Sequence, residues 1–188
     1  MKKVVCIAGK ARSGKDSTAF FIKQHLEALG KSAIIVHYAD FLKYVCKQYF
    51  DWDGKKDANG RTLLQSVGER AREFNPYFWV RTLKEIIEYT LPQYDYILIA
   101  DVRYPEEIEY WIEDYDYEVF CIRVVRDAVN DLTPEQKNHP SEVSLDDYDE
   151  VFNYRVENNS SLESLYYMTE MLVKDMEENI RERVYRWI

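Results

Sequence analysis

Residues 9–17 read Gly-Lys-Ala-Arg-Ser-Gly-Lys-Asp-Ser, and this spacing is that of a loop built to hold phosphate. The usual pattern is Gly, four residues, Gly, Lys, and then a Ser or Thr whose hydroxyl holds magnesium. Here Asp16 stands at the hydroxyl position, with Ser17 and Thr18 directly after it. Asp16 either ligates the metal itself or orients a bound water while Ser17 supplies the hydroxyl; the residues leave both open. Lys15 is expected to lie over the β- and γ-phosphates. Further along, Asp101 closes an apolar run, the place for an acid that holds magnesium through water. Arg103 and Arg126 follow apolar runs and offer planar, bidentate clamps for phosphate. Arg72 is a further candidate of the same kind. Asp40, expected to end the second strand, and Lys43, one helical turn later, are either acceptor-side groups or ordinary helix-start residues. His139 suits either substrate contact or a local hydrogen bond. His25 reads as surface and His37 as strand packing. No Ser-His-Asp or Cys-His arrangement is present, and no guanine-reading Asn-Lys-x-Asp.

The elements around the loop have the order a phosphate cradle requires. Before it, residues 3–8 form a short apolar run rich in β-branched residues, as in a buried parallel strand. After it, Ala19, Ile22, Leu26 and Leu29 recur at helical spacing, and Gly30 supplies a stop. Backbone N–H groups at that helix start converge on the anion, and the helix dipole favours it. Strands are expected at 32–38, 96–100, 118–125 and 151–156. Helices are expected at 41–50, 61–73, from Asn75-Pro76 to about 91, after Pro105, and from 160 to the C-terminus. Residues 51–60 read as a polar surface loop. Strands alternating with helices imply an α/β fold, a parallel sheet covered on both faces, with ligands at the carboxyl ends of its strands.

Composition bounds the partners. A length of 188 residues suits one domain with a substantial core, and a formal net charge of −9 argues against nucleic acid or anionic membrane as partner. A site for anionic substrates must then be locally basic within an acidic shell. Cys6, Cys46 and Cys121 sit in apolar surroundings at no metal-binding spacing, and read as reduced core residues of a cytoplasmic protein. The N-terminal run is too short for a signal peptide, and no stretch suits a bilayer span. A homodimer is compatible with the sequence, which does not encode oligomeric state legibly.

Taken in order, several short motifs carry a resemblance. They are the loop itself, Ala39-Asp40-Phe41-Leu42-Lys43, Leu63-Leu64-Gln65-Ser66-Val67-Gly68, Asn75-Pro76-Tyr77-Phe78-Trp79-Val80, Asp101-Val102-Arg103-Tyr104-Pro105-Glu106-Glu107, His139-Pro140-Ser141-Glu142 and the Glu157-Asn158-Asn159 turn. Over nearly the whole chain this succession resembles the phage-type deoxynucleoside monophosphate kinases, in which the Lys-Asp ending of the loop is typical. Animal-type phosphomevalonate kinase is the second resemblance, through the loop, the acid-Ser-Glu run and the Glu-Asn-Asn turn.

The resemblance implies a P-loop three-layer fold with a five-stranded parallel sheet in the order 2-3-1-4-5. It implies one kinase domain over 1–188, with a substrate-binding helical region at about 41–91 and a short lid at about 127–140. The implied reaction moves the γ-phosphoryl of ATP, with Mg2+, onto a (deoxy)nucleoside 5′-monophosphate, in the cytoplasm (the host's, for a phage protein). Gly9, Arg12, Ser13, Gly14, Asp16 and Ser17 would hold ATP, with Asn158 near the adenine. Lys15, Arg103 and Arg126 would act on the moving phosphoryl group. Asp16, Ser17 and Asp101 would serve the metal. Lys10, Asp40, Lys43, Arg72, Arg103, His139 and Glu142 would line the acceptor side, and Lys137 would be the lid's added cation. Tyr77, Phe78 and Trp79 would either stack on a base or fill the core. The alternatives are phosphorylation of another small phosphomonoester and a non-catalytic nucleotide-binding module.

Overall fold

The computed structural model describes residues 2–127, 137–178 and 186–187. Most of the expected lid, residues 128–136, therefore lies outside the described residues. The chain divides into two compact units, Met1–Val36 with Gln93–Ile188, and His37–Pro92.

The first unit is built on a parallel sheet of β1 (Lys2–Ala8), β2 (Ala33–Val36), β3 (Tyr96–Val102), β4 (Tyr117–Val125) and β5 (Tyr154–Glu157). Its order is β2-β3-β1-β4-β5, as the resemblance implied, and a short β6 (Arg186–Trp187) pairs parallel to β5. Alternation along the strands sends Val5, Ile7, Leu98, Ala100, Ile122 and Val124 to one face. There they pack with Ala19, Ile22 and Leu26 of α1 (Lys15–Ala28) and with Leu165, Leu172 and Val173 of α7 (Leu162–Glu178). Each Val, Leu or Ile side chain among them, removed from water, contributes roughly 1.5–3 kcal/mol. The opposite face receives α5 (Glu106–Ile112), whose buried Trp111 meets Tyr117 of β4 edge-on at 5.1 Å. α6 (Pro140–Val143) and a 3-10 turn (Asp149–Val151) fill the passage from β4 to β5. All three cysteines are free and buried.

Two expectations for this unit are corrected. The helix expected from 160 to the C-terminus is described over Leu162–Glu178; residues 179–185 lie outside the described residues, and Arg186–Trp187 form a strand rather than helix. The backbone edge of β5 is then covered by β6, which supplies the hydrogen bonds an edge strand lacks. His25 is not a surface residue. It is 8% exposed, with Nε2 3.0 Å from the Tyr166 carbonyl and its ring beside that of Tyr166 at 4.4 Å.

The second unit consists of α2 (Tyr38–Tyr49), α3 (Ala58–Phe74) and α4 (Phe78–Thr90). Asp57 caps α3 by accepting from the Gly60 N–H at 2.8 Å, so the helix begins three residues before the expected 61. Gly60 is required there, because a Cβ would fall 2.0 Å from the Lys55 carbonyl oxygen. Asn75 turns the chain by accepting from the Tyr77 N–H, and α4 starts at Phe78. Trp79 is 5% exposed and donates its indole N–H to the Gly68 carbonyl at 3.1 Å, with Phe41 and Phe78 edge-on to it. It fills the core of this unit and presents no face to a base. Among the described residues no helix is long and apolar enough to cross a membrane.

Candidate functional site

The loop between β1 and α1 is held in a conformation that few sequences tolerate. Gly9 has φ of 153° and Gly14 has φ of 101°, and Arg12 adopts a positive φ of 62° without being glycine. A Cβ at Gly9 would lie 2.4 Å from the Val124 carbonyl oxygen, so only glycine lets the loop pass β4 this closely. No side chain caps the start of α1, which leaves the positive end of that helix turned to a ligand. The hydroxyl of Ser13 is buried and without a hydrogen-bond partner. An uncapped helix start, glycines at positive φ and an orphan hydroxyl are together the features of a cradle for phosphate. The nucleotide implied by the sequence therefore fits the residues present.

Lys15 is 8% exposed, and its ammonium donates to the carbonyls of Gly9 (2.7 Å) and Lys10 (3.0 Å), folded across the loop it serves. Burial, followed by the charge of Arg103, pushes its pKa down to about 7, while Glu142, Asp101 and Asp16 pull the other way. The charges of Arg103, Glu142, Asp101 and Asp16 thus all reach this one ammonium group. Asp16 is exposed in the first turn of α1, Ser17 is half-buried, and Asp101 lies in β3, half-buried. Among the described residues there is no group of three His, Cys, Asp or Glu able to hold a metal alone. A magnesium that rides on nucleotide phosphates needs only one or two carboxylates and its own waters, so Asp16 and Asp101 suffice in kind.

Arg103 is set by two carboxylates. Glu107 of α5, 6% exposed, accepts from the backbone N–H of Arg103 (2.7 Å) and of Tyr104 (3.2 Å), fixing the turn after β3. Glu142 of α6 accepts from the Arg103 guanidinium at 2.7 Å through one oxygen and from the Ala11 N–H at 2.7 Å through the other. His139 caps α6, its Nδ1 accepting from the Ser141 N–H at 3.2 Å. Asn158 is buried, and its amide donates to the Ser13 carbonyl at 2.8 Å. That bond ties the turn after β5 to the phosphate loop.

A cavity of about 200 Å³ opens here, lined among others by Lys10, Arg103, Arg123, Arg126 and Arg155. Glu142, Asp146 and Asp149 share the lining and pair with Arg103, Lys10 and Arg123, so the cations outnumber the carboxylates only modestly. Arg126 is exposed at its rim. Arg123 and Arg155 escaped the sequence reading. They are register partners on β4 and β5, so they share a face of the sheet. Arg123 bonds Asp149, lies 3.6 Å from Asp146 and sits over the Phe152 ring at 5.3 Å. The one usable signal was a lone arginine in the apolar run of β4. Asp146 also pairs with Lys10 at 2.9 Å.

The remaining candidates belong to the second unit. Asp40 is not the end of a strand: β2 stops at Val36, and Asp40 lies in the first turn of α2, where a carboxylate suits the helix dipole. It accepts from Lys43 at 2.9 Å and lies 3.3 Å from His37 Nδ1. Burial raises its pKa, but Lys43 and then His37 outweigh that and hold it below the usual carboxylate value. His37 precedes α2 as its N-cap residue rather than packing in a strand. Arg72 is on the last turn of α3, beside Gly68, whose added Cβ would lie 3.5 Å from its guanidinium.

No protein-family model matches the chain. It is 30% identical over 157 residues, 79% of its length, to an uncharacterized protein, ORF76, of Ictalurid herpesvirus 1 (strain Auburn), and spans 58% of that relative. Among solved structures it is similar to dephospho-CoA kinase from Campylobacter jejuni, with a TM-score of 0.52, 12% identity and coverage of 96% of this chain and 100% of that one. It is likewise similar to Mycobacterium tuberculosis APS kinase in complex with AMPPNP and APS, with a TM-score of 0.50, 13% identity and coverage of 94% and 98%. The fold is that of the P-loop kinases. At such identities the likeness concerns the fold alone. Within this P-loop kinase fold the loop, the β3 end and the β4 end occupy the carboxyl side of the sheet, where open α/β sheets take their ligands.

Proposed function

We propose that the protein is an ATP-dependent phosphotransferase whose acceptor is a (deoxy)nucleoside 5′-monophosphate, the products being the diphosphate and ADP. The observation that carries the reading is the buried Lys15 at the head of an uncapped α1, with the Arg103 guanidinium bonded to Glu142 near enough for its charge to act on the lysine. The ordered motifs and the fold shared with kinases support it.

An acceptor phosphate oxygen is already a competent nucleophile near neutral pH, so the site needs no general base. Catalysis then reduces to alignment, neutralisation of charge and exclusion of water. On this reading the N–H groups at the start of α1 hold the ATP phosphates. Lys15 leaves the Gly9 and Lys10 carbonyls to follow the γ-phosphoryl group, while Arg103 and Arg126 neutralise its equatorial oxygens. Asp16, Ser17 and Asp101 would hold magnesium, which would supply further neutralisation of phosphate charge. Asn158 serves ATP by fixing Ser13. Lys10, Asp40, Lys43, Arg72 and His139 are assigned to the acceptor side, and residues 127–140 to the lid. The protein works, on this reading, among the nucleotide pools of the cytoplasm.

The test is a coupled assay of ADP formation from ATP with a panel of deoxynucleoside and nucleoside monophosphates. Mevalonate 5-phosphate belongs in the panel, as do APS and dephospho-CoA, named in the fold neighbours. ADP release that requires a nucleoside monophosphate is the expected result. Binding of ATP without acceptor-dependent turnover would overturn the reading in favour of a non-catalytic module. Turnover of mevalonate 5-phosphate above every nucleotide would replace the acceptor.

A further inference from the structure

Glu142 stands out among the carboxylates of the site because its two oxygens are committed to two different parts of it. Oε2 accepts the Ala11 N–H, which belongs to the phosphate loop, and Oε1 accepts the Arg103 guanidinium, which belongs to the end of β3. Both distances are 2.7 Å, the range of charge-assisted hydrogen bonds. The side chain is 10% exposed, so solvent does little to screen either bond, and Arg103 is itself only 23% exposed.

Around this carboxylate the cations crowd. Lys15 and Arg103 lie close enough for each charge to act on the other. Without an anion between them they repel, and an arginine on the turn after β3 has rotamers that lead away from the loop. Glu107 fixes the backbone of that turn but does not touch the guanidinium among the described contacts. The Ser141 carbonyl accepts from the same Nη1 at 3.3 Å, a longer bond to an uncharged acceptor. Glu142 is therefore a charged restraint on where the guanidinium points. Its own helix is fixed in turn: Pro140 opens α6 and His139 caps it, and just beyond the helix Asp146 pairs with Lys10 of the loop at 2.9 Å.

We propose that Glu142 is a positioning residue that sets the Arg103 guanidinium at a fixed place relative to the phosphate loop. Its carboxylate spans the two, so the distance between the group that seats ATP and the arginine that meets the transferred phosphoryl is built in before substrates arrive. This role rests on the phosphotransferase reading, and differs from a direct contact of Glu142 with the acceptor. Misplacement of such an arginine by about 1 Å costs on the order of 10²-fold in rate.

Glu142→Gln separates the two bonds. The amide oxygen still accepts the Ala11 N–H, whereas the amide nitrogen turns a donor toward the guanidinium. The wild-type protein, Glu142→Gln, Arg103→Ala and the double variant are compared in the acceptor-dependent ADP assay. Binding of a non-hydrolysable ATP analogue is measured alongside by calorimetry. The expected result for Glu142→Gln is a kcat reduced about 10²-fold with analogue Kd within about threefold of wild type. The double variant should be no slower than Arg103→Ala alone, because Glu142 acts through that arginine. If the two losses multiply, or if Glu142→Gln raises the acceptor KM with kcat intact, Glu142 does not act through Arg103. A Glu142→Gln protein with wild-type kcat overturns the proposal too. Absence of acceptor-dependent turnover in the wild type removes the phosphotransferase reading and this role with it, and is told apart from the other outcomes because no variant is needed to see it.

Discussion

The phosphate loop and the three-helix unit His37–Pro92 both carry candidate residues, but they hold them differently. In the loop, Gly9, Ser13, Gly14 and Lys15 are fixed by backbone conformation, by burial, by bonds within the loop and by a bond from the turn after β5. In the helical unit, Asp40 and Lys43 pair with one another on the surface of α2, and Arg72 rides the last turn of α3. The loop is over-determined, since each residue has a structural reason to be there as well as a chemical one. Asp40 and Lys43 leave the fold little changed if replaced, so any strong effect they have must come from substrate. Mutations should therefore separate the two regions by what fails. Loop variants should lose nucleotide handling and, at the glycines, stability; helical-unit variants should lose only acceptor affinity.

The largest effect is expected at Lys15. Lys15→Met should cut transfer by roughly 10³-fold or more. Its melting temperature should not fall, because burial makes the protonated lysine costly in the fold. A variant with near-normal rate would mean that the loop does not serve phosphoryl transfer. Next comes Gly14→Ala, whose Cβ would lie 2.2 Å from the Asn158 amide nitrogen at a φ of 101°. A loss of about 2–4 kcal/mol in chemical denaturation is expected, with weaker nucleotide binding. Asn158→Ala should cost about 1–3 kcal/mol through the unsatisfied Ser13 carbonyl, and lower ATP-analogue affinity about tenfold. An unchanged affinity would separate the turn after β5 from the loop.

Smaller effects belong to the helical unit. Lys43→Ala should shift stability by no more than about 0.5 kcal/mol, as should Arg72→Ala, while each raises the acceptor KM and leaves the ATP KM alone. Equal changes in both KM values would erase the contrast between the regions. The smallest effect concerns pH. The Asp40 carboxyl lies below its ordinary value in the fold, so its contribution is present above that value and lost as pH falls through the folded one. Because the pair is exposed, Asp40→Asn and wild type should differ by about a few tenths of a kcal/mol at pH 7 and converge as pH falls through the folded value.

How much of this was readable in the sequence follows from how local each feature is. The loop, Lys15 and the helix behind it are coded within twenty residues, and the β1–loop–α1 order emerged as expected. Arg123 and Arg155 become neighbours only through the pairing of β4 with β5, which no local pattern states. The start of α3 moved because Asp57 caps it, a signal hidden inside a stretch that reads as polar loop. Asp40 moved from a strand end to a helix start because α2 begins at Tyr38, directly after its N-cap His37. For Glu142 the motif was visible but its two partners, 131 and 39 residues away, were not.

The most direct test of the account follows the phosphoryl group itself. ATP labelled in the γ-phosphate is mixed in a single turnover with the protein and the preferred monophosphate, and the products are separated. The account predicts that the label appears in the acceptor's new diphosphate, with little in inorganic phosphate, and that Lys15→Met leaves it in ATP. Label released only as inorganic phosphate, or remaining in ATP with the wild-type protein, would contradict it.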